Sequence, residues 1–130
     1  MEGAEQGDII SFGDVGDCYM HGWGVERDYG EALKWLRRGV EHDERYAESH
    51  LGEMYKNGWG VPSDDVEAVR WFRRSADQGY RGGQYNLALM LLAGRGVARD
   101  LTAAEDLLSR AAEQEHPEAR LELEKLRLRQ

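Results

Sequence analysis

Apolar residues recur along this chain with the spacing of α-helices, in segments separated by short polar turns. Leu51, Met54 and Tyr55 are spaced by three and one, which places them on one face of a helix, and Ala68 and Trp71 repeat the spacing in the next segment. We predict seven helices and no β-sheet. The predicted helices cover Ile9–Met20, Tyr29–His42, Tyr46–Asn57, Asp65–Gln78, Gly82–Ala93, Leu101–Glu115 and Pro117–Arg129.

The pattern repeats every 36 residues. Gly-Trp-Gly-Val stands at residues 22–25 and again at 58–61, and Gly-Arg-Gly-Val stands at 94–97. A fixed period of this length is typical of helical repeats, in which each unit buries its apolar face against its neighbours. We therefore predict an all-α solenoid, a right-handed superhelix of antiparallel helix pairs.

Glycine and aspartate mark the predicted helix ends. Left-handed glycines are expected to end the first helix of each pair at Gly22, Gly58 and Gly94. Aspartates are expected to cap the second helices at Asp28, Asp64 and Asp100. Glu31 and Glu67 follow three residues later, which predicts a capping box in two repeats, whereas Ala103 removes it from the third.

These signals divide one predicted solenoid domain, residues 1–130, into three repeats and two end segments. The repeats span residues 11–45, 46–81 and 82–117, and a C-terminal capping helix spans 118–130. Residues 1–8 correspond to the end of a preceding repeat, because Ala4–Gly7 aligns with Ala76–Gly79. We interpret the chain as a piece of a longer array. The alternative is that residues 1–8 are a natural N-terminal cap.

The aromatic residues have two predicted roles. Trp35 and Trp71 lie within second helices, and we expect them to be among the core side chains that are most costly to truncate. Trp23 and Trp59 lie between turn glycines, and we expect them to be tucked beneath the next repeat rather than offered to a partner. Cys18 aligns with apolar residues of the other repeats, which favours a buried structural thiol over a reactive one.

Composition and charge narrow the possible functions. The chain is 41% hydrophobic and 32% charged, which suits a soluble helical protein. Its net charge of −8 argues against nucleic-acid binding, and no apolar run is long enough for membrane insertion. A single cysteine cannot form an internal disulfide, so we expect a cytoplasmic protein, and we favour a monomer.

The residues of the second repeat resemble the Sel1-like repeats, relatives of the tetratricopeptide repeats. The matching residues are Ala47, Leu51, Gly52, Tyr55, Gly58, Gly60, Val61, Asp64, Ala68, Trp71, Ala76 and Gly79. The other repeats depart from the pattern at Ser11, Val40, Asp43, Leu91 and Leu107. The resemblance implies an adaptor or scaffold without chemistry of its own, and the chain lacks the paired cysteines of a secreted bacterial branch.

No set of residues with the spacing of a catalytic or metal site is present. His21, His42, His50 and His116 show no close metal-ligand spacing, and the glycine turns lack the strand and lysine of a nucleotide site. We expect no catalytic residue, cofactor or metal. A scaffold that binds a peptide or helix of a partner is the favoured function, a dedicated regulator or immunity-type protein that occludes one enzyme or receptor is the alternative, and an enzyme is the least favoured.

The resemblance to tetratricopeptide repeats also implies that the first helices line a concave binding groove. The corresponding residues are Met20, Tyr46, Ser49, Glu53, Lys56, Tyr85, Leu89, Leu92, Leu121, Lys125 and Leu128. Leucines outside the core stripe predict a docking patch in the third repeat and the capping helix, the alternative being that they pack locally within the arc or contact a missing repeat. Replacing Leu89 and Leu92 with Ser is therefore expected to abolish partner binding without unfolding the chain.

Overall fold

The computed structural model describes residues 11–129, which contain seven α-helices and no β-strand. The helices are α1 (Phe12–His21), α2 (Tyr29–Glu41), α3 (Arg45–Asn57), α4 (Asp65–Asp77), α5 (Arg81–Ala93), α6 (Leu101–Glu113) and α7 (Pro117–Leu128). Their ends lie within two residues of the predicted ones, apart from the start of α1. Ser11 caps α1 by accepting a hydrogen bond from Asp14 N–H, whereas the predicted start at Ile9 and the segment Ala4–Gly7 lie outside the described residues.

The predicted helix ends are confirmed. Gly22, Gly58 and Gly94 end α1, α3 and α5 in the left-handed conformation, with φ of 73°, 70° and 67°. The side chains of Asp28, Asp64 and Asp100 accept hydrogen bonds at the starts of α2, α4 and α6. Their donors, at 3.1, 3.1 and 3.0 Å, are the backbone N–H groups of Glu31, Glu67 and Ala103.

The reciprocal half of the predicted capping boxes is not formed. The backbone N–H of Asp28 donates to Tyr19 O at 2.9 Å, so it is already occupied by the preceding helix. The carboxylate of Glu31 instead accepts a hydrogen bond from Trp35 Nε1 at 3.2 Å. The aspartate caps therefore join each second helix to the end of its first helix.

Consecutive helices pack against each other along the whole described chain, as an α-solenoid requires. In addition, α1 contacts α3 and α3 contacts α5, so the first helices form a continuous layer. We call it the inner layer, to which α7 belongs because it starts 36 residues after α5, and α2, α4 and α6 form the outer layer. Because the inner helices lie close enough to touch, their layer corresponds to the concave side of the solenoid.

The core lies between the two layers, and its largest members differ from those predicted. Leu36, Phe72 and Leu108 are fully buried, whereas Trp35 and Trp71 are only half-buried. A Cβ atom added at Gly16 would lie 2.7 Å from Leu36 Cγ. In each repeat, the small residue of the first helix thus makes room for a large buried residue of the second helix. That buried residue comes directly after the tryptophan position.

The prediction for Trp23 and Cys18 is wrong in one respect, because neither side chain is buried. Trp23 is 58% exposed, and Cys18 is half-buried. Trp59 is half-buried, and it stacks on Tyr29 of the preceding repeat, with ring centroids 5.8 Å apart and planes 2° from parallel. A turn tryptophan is therefore covered by the preceding repeat rather than by the next one.

Two residues that stand 36 positions from Gly79 share its unusual backbone conformation. Asp43 and Glu115 have φ of 57° and 60°, in the left-handed region that favours glycine. Gly79, at the same position of the second repeat, has φ of 81°. The backbone thus keeps the same shape in all three repeats, even where the glycine has been replaced.

Candidate protein-binding surface

The structure buries two of the eleven residues that were predicted to bind a partner. Met20 is 2% exposed and belongs to a core cluster with Ala32 and Leu36. Ser49 is also 2% exposed, and its Oγ lies 3.3 Å from Asn86 Nδ2, which donates to it. Both residues lie where neighbouring helices meet, and a partner cannot reach them. The other nine residues are at least partly accessible.

Three of these nine lie on α3. Tyr46, Glu53 and Lys56 are all half-buried. The Tyr46 ring contacts Tyr80 edge-on at 6.0 Å between centroids, and it lies close to Gly13 of α1. Tyr46 therefore joins neighbouring repeats on the inner layer, and only part of its ring is available to a partner.

The remaining six residues lie on α5 and α7 and form the more apolar part of the surface. Tyr85, Leu89 and Leu92 of α5 are half-buried. On α7, Leu121 and Leu128 are 53% and 86% exposed. Tyr85 and Leu92 also pack against the core, whereas Leu89 is not among the described side chains that contact this cluster. The sixth residue of this set is Lys125, which is exposed. We call the other five, Tyr85, Leu89, Leu92, Leu121 and Leu128, the leucine patch.

Acidic and imidazole groups dominate the opposite end of the inner layer. Asp17 Oδ1 lies 3.0 Å from His21 Nε2 and 3.8 Å from His50 Nε2, and Glu53 Oε1 lies 3.9 Å from His50 Nδ1. Burial would lower the pKa of His50, but Glu53 and Asp17 outweigh it, so the pKa of His50 is raised. These contacts join α1 to α3 and give this end an acidic character.

A small cavity of about 190 Å³ lies between α7 and the turn that precedes α6. It is lined by Leu92, Arg99, Leu101, Glu122, Lys125, Leu126 and Arg129. Lys125 Nζ lies 3.6 Å from Glu122 Oε1, but Arg99 and Arg129 have no ion-pair partner within residues 11–129. The sequence did not indicate Arg99 or Leu101, because no spacing shows that this turn lies beside α7.

Among the described side chains, no three His, Cys, Asp or Glu residues form a group that could hold a metal ion. No helix within residues 11–129 is both long enough and apolar enough to cross a membrane.

The sequence pattern of the Sel1 repeat matches residues 14–43, 45–80 and 82–116. The chain belongs to the Sel1 repeat family. Members of this family are generally protein–protein interaction modules built on a helical scaffold. No match was found among curated protein sequences.

Solved structures of this family have the same architecture. A Sel1 repeat protein from Oxalobacter formigenes is 32% identical, with a TM-score of 0.78 over 95% of this chain and 93% of its own. The protective antigen c5321 of uropathogenic Escherichia coli, which displays an SLR fold, is 38% identical, with a TM-score of 0.78 over 89% of this chain. The present chain covers only 25% of the length of c5321.

A more distant match is the cysteine-rich protein B of Helicobacter pylori. It is 21% identical, with a TM-score of 0.67, over 71% of this chain and 69% of its own. This likeness shows the shared fold alone. The present chain has one cysteine, Cys18.

Proposed function

We propose that this Sel1 repeat chain is a protein-binding scaffold that takes up an amphipathic helix or an extended peptide on its inner layer. The leucine patch is the observation that carries the proposal. Leu121 and Leu128 are exposed on one helix, and Leu92 lines the same cavity as Lys125 of that helix, which links α5 to α7. Exposed leucines gathered on one side of a soluble helical protein are typical of a docking surface.

Charges around the patch indicate the chemistry of the partner. Arg99, Lys125 and Arg129 surround the cavity, and Glu122 is the single acidic group in its lining. On a chain with a net charge of −8, this local excess of positive charge favours acidic residues beside an apolar anchor. Basic residues of the partner would face Glu53 at the other end of the inner layer.

The test replaces Leu89 and Leu121 with Ser in one variant. Leu92 is left in place because it packs against the core, so its replacement would lower the free energy of unfolding as well as remove a contact. We expect the double variant to keep the helical circular dichroism signal and to lose binding to peptides that are selected on the wild-type chain from a random display library. Val66→Ser, at a 65% exposed position of the outer layer, is the matched control.

Two results would contradict the proposal. One is selected peptides that bind the double variant as tightly as they bind the wild type, and the other is peptides that lose binding equally with the control. A pull-down then separates the two forms of the function: several partners identify a scaffold, whereas one partner in stoichiometric amount identifies a dedicated regulator.

A further inference from the structure

The contact between α1 and α3 contains an imidazole ring that lies between two carboxylates. His50 Nε2 lies 3.8 Å from Asp17 Oδ1 of α1, and His50 Nδ1 lies 3.9 Å from Glu53 Oε1 of its own helix. The three side chains are only 18%, 22% and 30% exposed, so water screens their charges in part. A neutral imidazole carries one N–H group, whereas the protonated ring carries two. Only protonated His50 can therefore present an N–H to both carboxylates.

Two atoms of this contact are buried without a hydrogen bond. Asp17 Oδ1 and His50 Nδ1 have no hydrogen-bond partner within residues 11–129. His21 Nε2 of α1 lies 3.0 Å from the same Asp17 oxygen, and Asp14 of α1 adds a further negative charge that acts on His50. A buried carboxylate oxygen is costly unless a positive charge or a donor compensates it. A proton on His50 supplies that charge between the two helices.

The start of the next inner helix completes the set of titratable groups. Tyr80 is the N-cap residue of α5, and burial raises the pKa of its hydroxyl, with Glu53 and Asp17 acting in the same direction. Arg81 and Arg45 lower the pKa of Tyr80 and offset this effect only in part. Tyr80 therefore stays neutral near pH 7, and it leaves the charge of the α1–α3 contact to the imidazole and the carboxylates.

The equivalent positions in the later inner helices carry no imidazole. Asn86 stands 36 residues after His50, and its amide, which does not titrate, donates to Ser49 Oγ at 3.3 Å. Glu122 stands at the same position of α7, and its Oε1 lies 3.6 Å from Lys125 Nζ. Among the inner helices of the described chain, this position is therefore a histidine only in α3.

We propose that the α1–α3 contact is pH-sensitive: protonated His50 holds α1 against α3, and loss of the proton loosens the contact. Burial would lower the pKa of His50, but Glu53 and Asp17 raise it above its ordinary value of 6.5. The stabilising effect is therefore fully present below pH 6.5 and is lost as the pH rises through the folded pKa. The contact lies at the opposite end of the inner layer from the leucine patch, so the two proposals can fail separately.

Native-state hydrogen exchange and NMR titration of the full chain between pH 5.5 and pH 8.5 test the proposal. We expect the protection factors of α1 to fall several-fold as the pH rises through the pKa of His50. His50→Asn, which introduces the residue of the equivalent position in α5, is expected to remove this pH dependence. His42→Asn, at an exposed position at the end of α2, is the control and should leave it unchanged.

The far end of the chain supplies an internal check on the sign. His116 Nδ1 accepts a hydrogen bond from the backbone N–H of Ala119 at 3.1 Å, which requires this nitrogen to be unprotonated. Burial lowers the pKa of His116, so its cap is lost as the pH falls through the folded pKa. Protection at the start of α7 should therefore fall with decreasing pH, in the opposite direction to α1.

Three results would overturn the proposal. The first is protection of α1 that does not change with pH in the wild type. The second is a pH dependence that survives in His50→Asn or that His21→Asn removes, which would assign it to another group. The third is a pKa of His50 that is not lowered in Asp17→Asn. This last measurement also decides the question if the His50→Asn chain does not fold.

Discussion

Glu48 is the most unusual single residue in the structure, because its carboxylate is fully buried. Its Oε1 accepts a hydrogen bond from Gln78 Nε2, and Arg74 Nε lies 2.8 Å from its Oε2. Burial raises the pKa of Glu48, and Arg74 and Gln78 offset this effect only in part. The third repeat has a neutral residue at this position: Gln84, whose Oε1 accepts a hydrogen bond from Gln114.

We therefore expect Glu48→Gln to stabilise the chain at pH 7 by about 1 kcal/mol, because a buried charge is replaced by the amide already used in repeat three. The pKa of Glu48 is raised above its ordinary value of 4.5, so the ionised carboxylate lowers stability as the pH rises through the folded pKa. The advantage of the variant should disappear below pH 4.5. Urea unfolding at pH 7 and pH 4 measures both values.

The control for this variant is Glu124→Gln, which removes a carboxylate from an exposed position of α7. A Glu48→Gln protein that is less stable than the wild type at pH 7 would show that the ion pair with Arg74 outweighs the cost of burial. Arg74 itself is 44% exposed, so its guanidinium can return to water when the charge of Glu48 is removed.

The burial of several single residues could not be predicted from the sequence. Helical spacing placed both Trp35 and Leu36 near the apolar stripe, but it did not show which of these neighbours faces the first helix. Met20 and Ser49 were placed in the groove because the spacing gives no distance between one helix and the next. The exposure of Trp23 depends on contacts between repeats, which no local pattern reveals.

At the scale of helix elements, the sizes of facing residues match across the three pairs. A glycine faces Leu36 in the first pair, Gly52 faces Phe72 in the second, and in the third an alanine stands at the equivalent position with Leu108 as the partner. A Cβ atom at Gly52 would overlap the Phe72 ring. The small residue of each first helix therefore leaves room for the large side chain of its second helix.

We expect Gly52→Ala to destabilise the chain by about 1–3 kcal/mol, because the overlap outweighs the better helix propensity of alanine. Phe72→Leu in the same chain should restore most of this loss, since it reproduces the alanine and leucine of the third pair. A double-mutant cycle in urea measures the coupling between the two positions. Additive effects within about 0.5 kcal/mol would show that the residues do not share one space.

The helix bounds were the part of the fold best predicted from sequence, because their signals are local. Asp28, Asp64 and Asp100 mark helix starts through bonds to residues three positions away, which spacing reveals directly. The reciprocal bond expected for Glu31 failed because the backbone N–H of Asp28 bonds to Tyr19, nine residues earlier. The binding surface was predicted less well, since it depends on contacts between helices.

At the scale of the whole molecule, stability is distributed unevenly along the solenoid. The inner helix α3 contacts helices on every side, α1 and α2 before it and α4 and α5 after it. The end helices have fewer neighbours within residues 11–129. In repeat proteins each unit is stabilised by its nearest neighbours, so the ends open more easily than the middle.

We expect hydrogen exchange to show the strongest protection in α3, α4 and α5 and the weakest in α1 and α7. The measurement is native-state exchange followed by mass spectrometry or NMR at pH 7. Equal protection of all seven helices would show that the chain opens only as a single cooperative unit.

The three Gly-x-Gly turns share one backbone conformation, with every turn glycine between φ of 67° and 74°. Because each joint has the same shape, a copied segment of 36 residues would enter the chain without requiring a new connection. Gene duplication could therefore change the number of repeats while leaving each joint intact. The length of the inner layer would then change with the number of repeats. Its binding specificity would change separately, through substitutions on the helix faces that the turns hold in place.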